Sequence, residues 1–146
     1  AIDPDTDLDR FSLPRIATSR VAVDFHHLNA EHLPFAGDSF DSVVCTLTLC
    51  SIPDVVHALG EIHRVLKPGG QFLFLEHGLS PDARVARWQH RLNPIQNRLG
   101  GGCHLIRETV PLVAGSGLHL RDAEHYYLRR VPRFVGYMTE GSALKS

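Results

Sequence analysis

Between Phe40 and Glu76 an apolar stretch, a segment of helical period, a glycine corner and a second apolar stretch follow one another, and that order permits few folds. Val43-Val44-Cys45-Thr46-Leu47 is nearly unbroken in apolar character, which fits a parallel strand covered on both faces. Ser51-Ile52-Pro53-Asp54 predicts a helix start, with Ser51 as cap, proline in the first turn and an acid at the positive end of the dipole. Ile52, Val55, Val56, Leu59, Ile62 and Leu66 recur at three- and four-residue steps and mark one core-facing side. Pro68-Gly69-Gly70 then turns the chain into a strand from Gln71 to Glu76. A β-α-β unit of this kind needs a right-handed crossover, so a parallel sheet is expected.

The flanks extend that pattern. Residues 21–28 are rich in β-branched and aromatic types, interrupted by Asp24, His26 and His27, and predict a strand near a sheet edge. Over 83–99 a helix is expected, its apolar stripe drawn from Val85, Trp88, Leu92, Ile95 and Leu99 and its axis bent or split at Pro94. Gly100-Gly101-Gly102 forms a loop, and a short helix follows over about 107–114. Two strands, 118–128 and 130–138, are joined too tightly for a crossover and should pair antiparallel as a hairpin. The division expected is one domain over 1–138 and a flexible tail over 139–146.

Composition narrows the class. A chain of 146 residues with 43% hydrophobic side chains suits one domain with a real core. A net charge of -1 supplies no field for nucleic acid or an anionic membrane. No apolar run is long enough to span a bilayer, so a cytoplasmic protein is expected, with membrane contact by this segment not expected. Cys45, Cys50 and Cys103 match neither a disulfide framework nor a zinc motif. His26 and His27 point to opposite faces of a strand, and His57 and His63 do not share a helix face, so no metal site is expected.

Four pieces in order, Ile2-Asp3-Pro4, Asn29-Ala30-Glu31 with Leu33-Pro34-Phe35, Phe40-Asp41, and Arg64-Val65-Leu66-Lys67-Pro68-Gly69-Gly70, resemble the class I S-adenosylmethionine-dependent methyltransferases. The resemblance covers nearly the whole chain, to about Gly136. It implies an α/β, Rossmann-like, mostly parallel sheet closing in a C-terminal antiparallel hairpin. Residues 1–138 would then be the C-terminal portion of such a domain, N-terminally truncated, because the glycine-rich loop after the family's first strand is missing. Cys45-Thr46-Leu47, Leu49-Cys50-Ser51, Glu76-His77 and the run from Gly102 to Glu108 are most similar to the branch of small-molecule thiol methyltransferases. Quinone-biosynthesis C-methyltransferases are a more distant match.

The resemblance carries site roles onto this chain. Asp3, at a strand end, would accept the ribose hydroxyls of S-adenosyl-L-methionine. Asn29 stands where many relatives have aspartate and would accept from the adenine amino group through its amide oxygen, with Ala30 and Glu31 walling the ring. Thr46 and Leu47 would line the methionine and sulfonium side. Methyl transfer needs alignment, exclusion of water and, for some acceptors, removal of a proton. His77 is the general-base candidate, since an imidazole titrates near neutral pH, and Glu76 would orient it or face the acceptor.

The activity expected is methyl transfer to a small, apolar acceptor: a thiol, an amine or an enolate carbon. The rival reading is a catalytically inactive binding or scaffold protein. Without the strand that normally lies between the family's second and fourth, exposed strand edges would favour pairing with a second copy. The chain reads as a fragment of a longer enzyme, ahead of a second chain supplying the missing elements or a non-catalytic short form. Nucleic acid is not expected as a partner, for lack of a basic stripe or a base-binding motif.

Overall fold

The computed structural model describes residues 1–146, the side chain of Leu8 excepted. Its elements are a 3-10 turn (Thr6–Leu8), α1 (Asp9–Ala17), β1 (Phe40–Thr46), α2 (Val55–Val65), β2 (Leu66–His77), α3 (Ala83–Leu99), α4 (Thr109–Gly115), β3 (His119–Tyr127) and β4 (Tyr137–Leu144). The four strands form one sheet in the order β1-β2-β4-β3. β1 and β2 pair in parallel across α2, as the β-α-β pattern requires, and β4 runs antiparallel to both β2 and β3.

The helix between the parallel strands starts one turn later than expected. Asp54, not Ser51, is the cap, its carboxylate accepting the His57 N–H at 3.0 Å. Val55, Ala58, Leu59, Ile62 and Val65 are buried, whereas Val56, expected on the same side, is 67% exposed. The chain passes from Val65 directly into β2, and Gly69 takes the corner with φ of 75°, a conformation that costs glycine little. Phe72 and Phe74 of β2, Val43 and Cys45 of β1 and Ala143 of β4 meet the core face of α2 and Val113 of α4.

Only one face of the sheet is covered in this way. Val44 is 65% exposed, so β1 is not the doubly covered strand that its apolar run predicts; it is an edge strand with helices on one side. Residues 21–28 form no strand. One parallel bridge, Ile2 to His26, aligns them with the start of the chain, and Phe35 meets the His26 ring edge-on, while Val21 stays 73% exposed.

The second strand of the hairpin lies further on than its sequence suggests. Residues 128–136 are loop, and Thr139–Leu144, expected as a flexible tail, are most of β4. Pairing on both sides compensates for side chains as small as Gly141, Ser142 and Ala143. A Cβ at Gly141 would stand 2.5 Å from the Asp122 carbonyl oxygen and 2.7 Å from the Phe74 ring, so the position admits only glycine. Lys145 secures the end, donating to the Asp38 carboxylate at 2.7 Å and the Leu66 carbonyl at 2.8 Å.

α3 continues unbroken through Pro94; Val85 of its expected stripe is buried and Leu92 half-buried, but Trp88, Ile95 and Leu99 face outward at 55%, 57% and 81% exposure. The rest of its inner side is polar. Gln89 is fully buried, accepting the Ser80 N–H and donating to the Gly78 carbonyl, both at 2.8 Å. Asn93 accepts the Leu105 N–H at 2.8 Å, and Asn97 donates to the Gly102 carbonyl at 2.8 Å. Spacing by four puts these three amides in one row, where they satisfy loop backbone that would otherwise be buried without partners.

Candidate functional site

Three loops meet at the carboxyl end of β1. The first holds Asp3, the second Asn29 to Glu31, and the third runs from Thr46 at the end of β1 to Asp54. Asp3, Leu28, Asn29, Ala30, Thr46 and Leu47 all line one cleft of about 540 Å³, with Thr48, Ser51 and Gly100 on its far wall. Ligand crevices in open α/β sheets lie at this end of the strands.

Asp3 is half-buried, one carboxylate oxygen accepting the Asp5 N–H at 2.9 Å, and its backbone is tied to His26 by the bridge. Asn29 and Glu31 are locked together: the Asn29 amide donates to Glu31 Oε2 at 2.7 Å while its Oδ1 accepts the Glu31 N–H at 3.2 Å. An amide oxygen has a second lone pair, so Asn29 Oδ1 keeps acceptor capacity. Glu31 sits behind the cleft wall and accepts the Asp54 N–H at 2.6 Å, joining the second loop to the start of α2. The same loop is stapled further on by Arg64, which donates to the Phe35 carbonyl at 2.8 Å and the Leu33 carbonyl at 2.9 Å. Glu61 accepts the Leu33 N–H at 2.9 Å, and the bond from the Arg64 guanidinium holds the Glu61 carboxyl down at about 2.

Leu47 occupies the left-handed region with φ of 53°, unfavourable for a branched residue, and its side chain is half exposed beside the cleft. The segment after it is held from both polarities. Glu76, fully buried at the end of β2, accepts the N–H groups of Thr48, Leu49 and Cys50 at 2.9, 3.0 and 3.4 Å. Arg107 donates to the carbonyls of Leu49 and Pro53. Burial outweighs those three N–H donors and raises the Glu76 pKa. Glu76 therefore neither orients His77 through a hydrogen bond described here nor faces the cleft; it fixes the loop that forms the cleft wall.

His77 is not among the residues lining the cleft. Its Nε2 lies 2.9 Å from Cys103 Sγ, its Nδ1 is buried with no partner among the described residues, and burial lowers its pKa. Cys50 is close to both, so that Cys50, His77 and Cys103 place one ligand atom each within 4.8 Å of the others. The sequence reading did not group these three, because 27 and 26 positions separate them (50 to 77, 77 to 103) and no short-range motif reports a contact across that distance.

A family model described as a methyltransferase domain matches residues 1–74, half of the chain. The chain belongs to that family. Thiol S-methyltransferase TMT1B of Rattus norvegicus is 38% identical over 118 residues, covering 74% of this chain and 46% of its own length. The ubiquinone/menaquinone biosynthesis C-methyltransferase UbiE of Bartonella quintana is 51% identical over 113 residues, covering 76% of this chain and 38% of its own length. The chain thus spans about half the length of the curated relatives it matches, or less. Among solved structures, a SAM-dependent methyltransferase of Methanosarcina mazei superposes with a TM-score of 0.75 over 99% of this chain and 80% of its own, at 20% identity, a likeness of fold. No helix among the described residues of this methyltransferase domain is long and apolar enough to cross a membrane.

Proposed function

We propose that the chain forms the nucleoside-binding half of an S-adenosyl-L-methionine-dependent methyltransferase whose acceptor is a small thiol. The observation that carries this reading is the convergence of Asp3, Asn29, Ala30, Thr46 and Leu47 on one cleft, from three separate loops. The residues fit the group. The Asp3 carboxylate suits a ribose diol, Ala30 offers a small apolar wall that packs on the core, and Thr46 and Leu47 border the same cleft where the methionine and sulfonium side would lie. Glu31 supports Asn29 from behind.

S-adenosyl-L-methionine supplies a methyl carbon already activated by its positive sulfur. The chain's own residues hold the nucleoside, shape the wall through the loop fixed by Glu76 and Arg107, and exclude water from it. In the reaction the acceptor sulfur gains the carbon–sulfur bond to methyl as the bond to the sulfonium breaks, and the thiol proton leaves to base or solvent. The place of His77, behind the wall and against Cys103, supports a positioning role better than direct contact with an acceptor in this cleft. Similarity to a thiol S-methyltransferase over three quarters of the chain supports a thiol; a C-methyltransferase matches as much of the chain, so an enolate carbon is the rival acceptor.

A second reading has its own observation. β1 is the outer strand of the sheet, with a free pairing edge among the described residues, which suits a non-catalytic module that associates through that strand. Incubation with methyl-labelled S-adenosyl-L-methionine and a small aliphatic thiol, followed by mass spectrometry of the S-methyl product, separates the two. Labelled thioether is expected; a folded chain that binds S-adenosylhomocysteine yet labels no thiol would overturn the acceptor assignment.

A further inference from the structure

Behind the cleft wall, the loop after β1, the end of β2 and the loop after α3 bring Cys50, His77 and Cys103 together. We propose that these three side chains form a binding site for a thiophilic divalent cation, zinc being the ion of choice. A tetrahedral zinc with bonds of about 2.0–2.3 Å holds its ligand atoms roughly 3.5–3.8 Å apart. The separations here run from 2.9 Å between His77 Nε2 and Cys103 Sγ to an outer limit of 4.8 Å for the set, so they bracket that value. Closure needs side-chain adjustment only.

The backbone that carries the ligands is already fixed. Cys50 donates its N–H to Glu76 and accepts the His104 N–H at 2.8 Å, Cys103 donates to the Gly100 carbonyl at 3.1 Å, and His77 pairs with Met138 in the sheet. Both thiols are nearly inaccessible, at 3% and 6% exposure, as the sulfurs of a closed metal site are. The fourth position falls to water or to the Ser51 hydroxyl, 3.5 Å from Cys50 Sγ.

The local charge is consistent with a cation. Two thiolates neutralise a dication, while the Glu76 carboxylate and the nearby Arg107 guanidinium offset each other. The alternative, three core side chains joined by weak contacts, gives no reason for two sulfurs and an imidazole from three separate segments to converge within 4.8 Å. Loading would tie the loop after β1, which gives Thr48 and Ser51 to the cleft, to the loop that gives Gly100. It would brace one wall of the cleft without entering it.

Cobalt(II), which reports thiolate ligation by an intense ultraviolet charge-transfer band, is the probe. Titration of the purified, reduced chain is expected to saturate at one equivalent with that band. Zinc should displace the cobalt, Cys50→Ser and Cys103→Ser should each reduce the band, His77→Gln should weaken binding about tenfold or more, and Cys45→Ser should leave the titration unchanged. Absence of a charge-transfer band, or a band lost in Cys45→Ser and kept in the other two, would overturn the proposal. Zinc retention by the unsubstituted chain avoids any folding defect: after exhaustive dialysis about one equivalent should remain bound and be released by a chelator. Retention of less than about a tenth of an equivalent would also overturn it.

Discussion

Removing the Glu76 acceptor is expected to loosen the loop from Thr48 to Cys50, and the size of the effect can be worked from its bonds. The side chain is fully buried and accepts two N–H groups at good distance, 2.9 and 3.0 Å, with a third at 3.4 Å. Glu76→Ala leaves two buried donors unpaired at roughly 1–3 kcal/mol each. Relief of the desolvated carboxylate returns part of that, so a net loss of about 3 kcal/mol is expected. Glu76→Gln keeps Oε1, which accepts the two short bonds, and gives up only the longest, setting an NH₂ against the Cys50 N–H. Its cost should be about 1 kcal/mol. Urea unfolding at neutral pH, with unchanged slopes, measures both differences. Equal losses in the two variants would mean that charge, through Arg107, holds the loop rather than the acceptors; losses below about 0.5 kcal/mol in both would mean that Glu76 does not hold it.

Two further outcomes follow from the polar staples. Gln89→Leu is nearly isosteric but abandons the Ser80 N–H and the Gly78 carbonyl, so it should destabilise by about 2–4 kcal/mol, read from the urea midpoint, whereas Trp88→Ala on the exposed side of α3 should cost far less. Glu61 has a folded pKa depressed to about 2 by Arg64, so its contribution is present above the unfolded value of about 4.3 and is lost as pH falls through the folded one. Stability of the native chain should therefore decline between roughly pH 5 and 2 more steeply than that of Glu61→Gln; parallel pH curves would remove the ion pair from the account.

The β-α-β unit was legible because its signals are local and agree: apolar run, helical period, glycine corner. The residues of the cleft were legible only through resemblance, since Asp3, Asn29 and Thr46 stand on separate segments and nothing in their own neighbourhoods brings them together. α3 misled because much of its inward row, buried Gln89 with half-buried Asn93 and Asn97, is polar and answers to loop backbone, while Trp88, Ile95 and Leu99 of the stripe that periodicity selects are left exposed. β4 was placed too early because Gly141, Ser142 and Ala143 lack strand character of their own; two pairing partners supply what propensity does not. The cluster of Cys50, His77 and Cys103 is a product of topology alone.

Everything proposed for the acceptor depends on the cleft that holds Asp3 being a nucleoside site. Calorimetric titration of the 146-residue chain with S-adenosylhomocysteine, beside Asp3→Ala, tests it most directly. Saturable binding, weakened by about 1 kcal/mol or more in the variant through loss of a charge-assisted hydrogen-bond acceptor, is predicted. No binding by a chain shown to be folded, or equal affinity in Asp3→Ala, would contradict it.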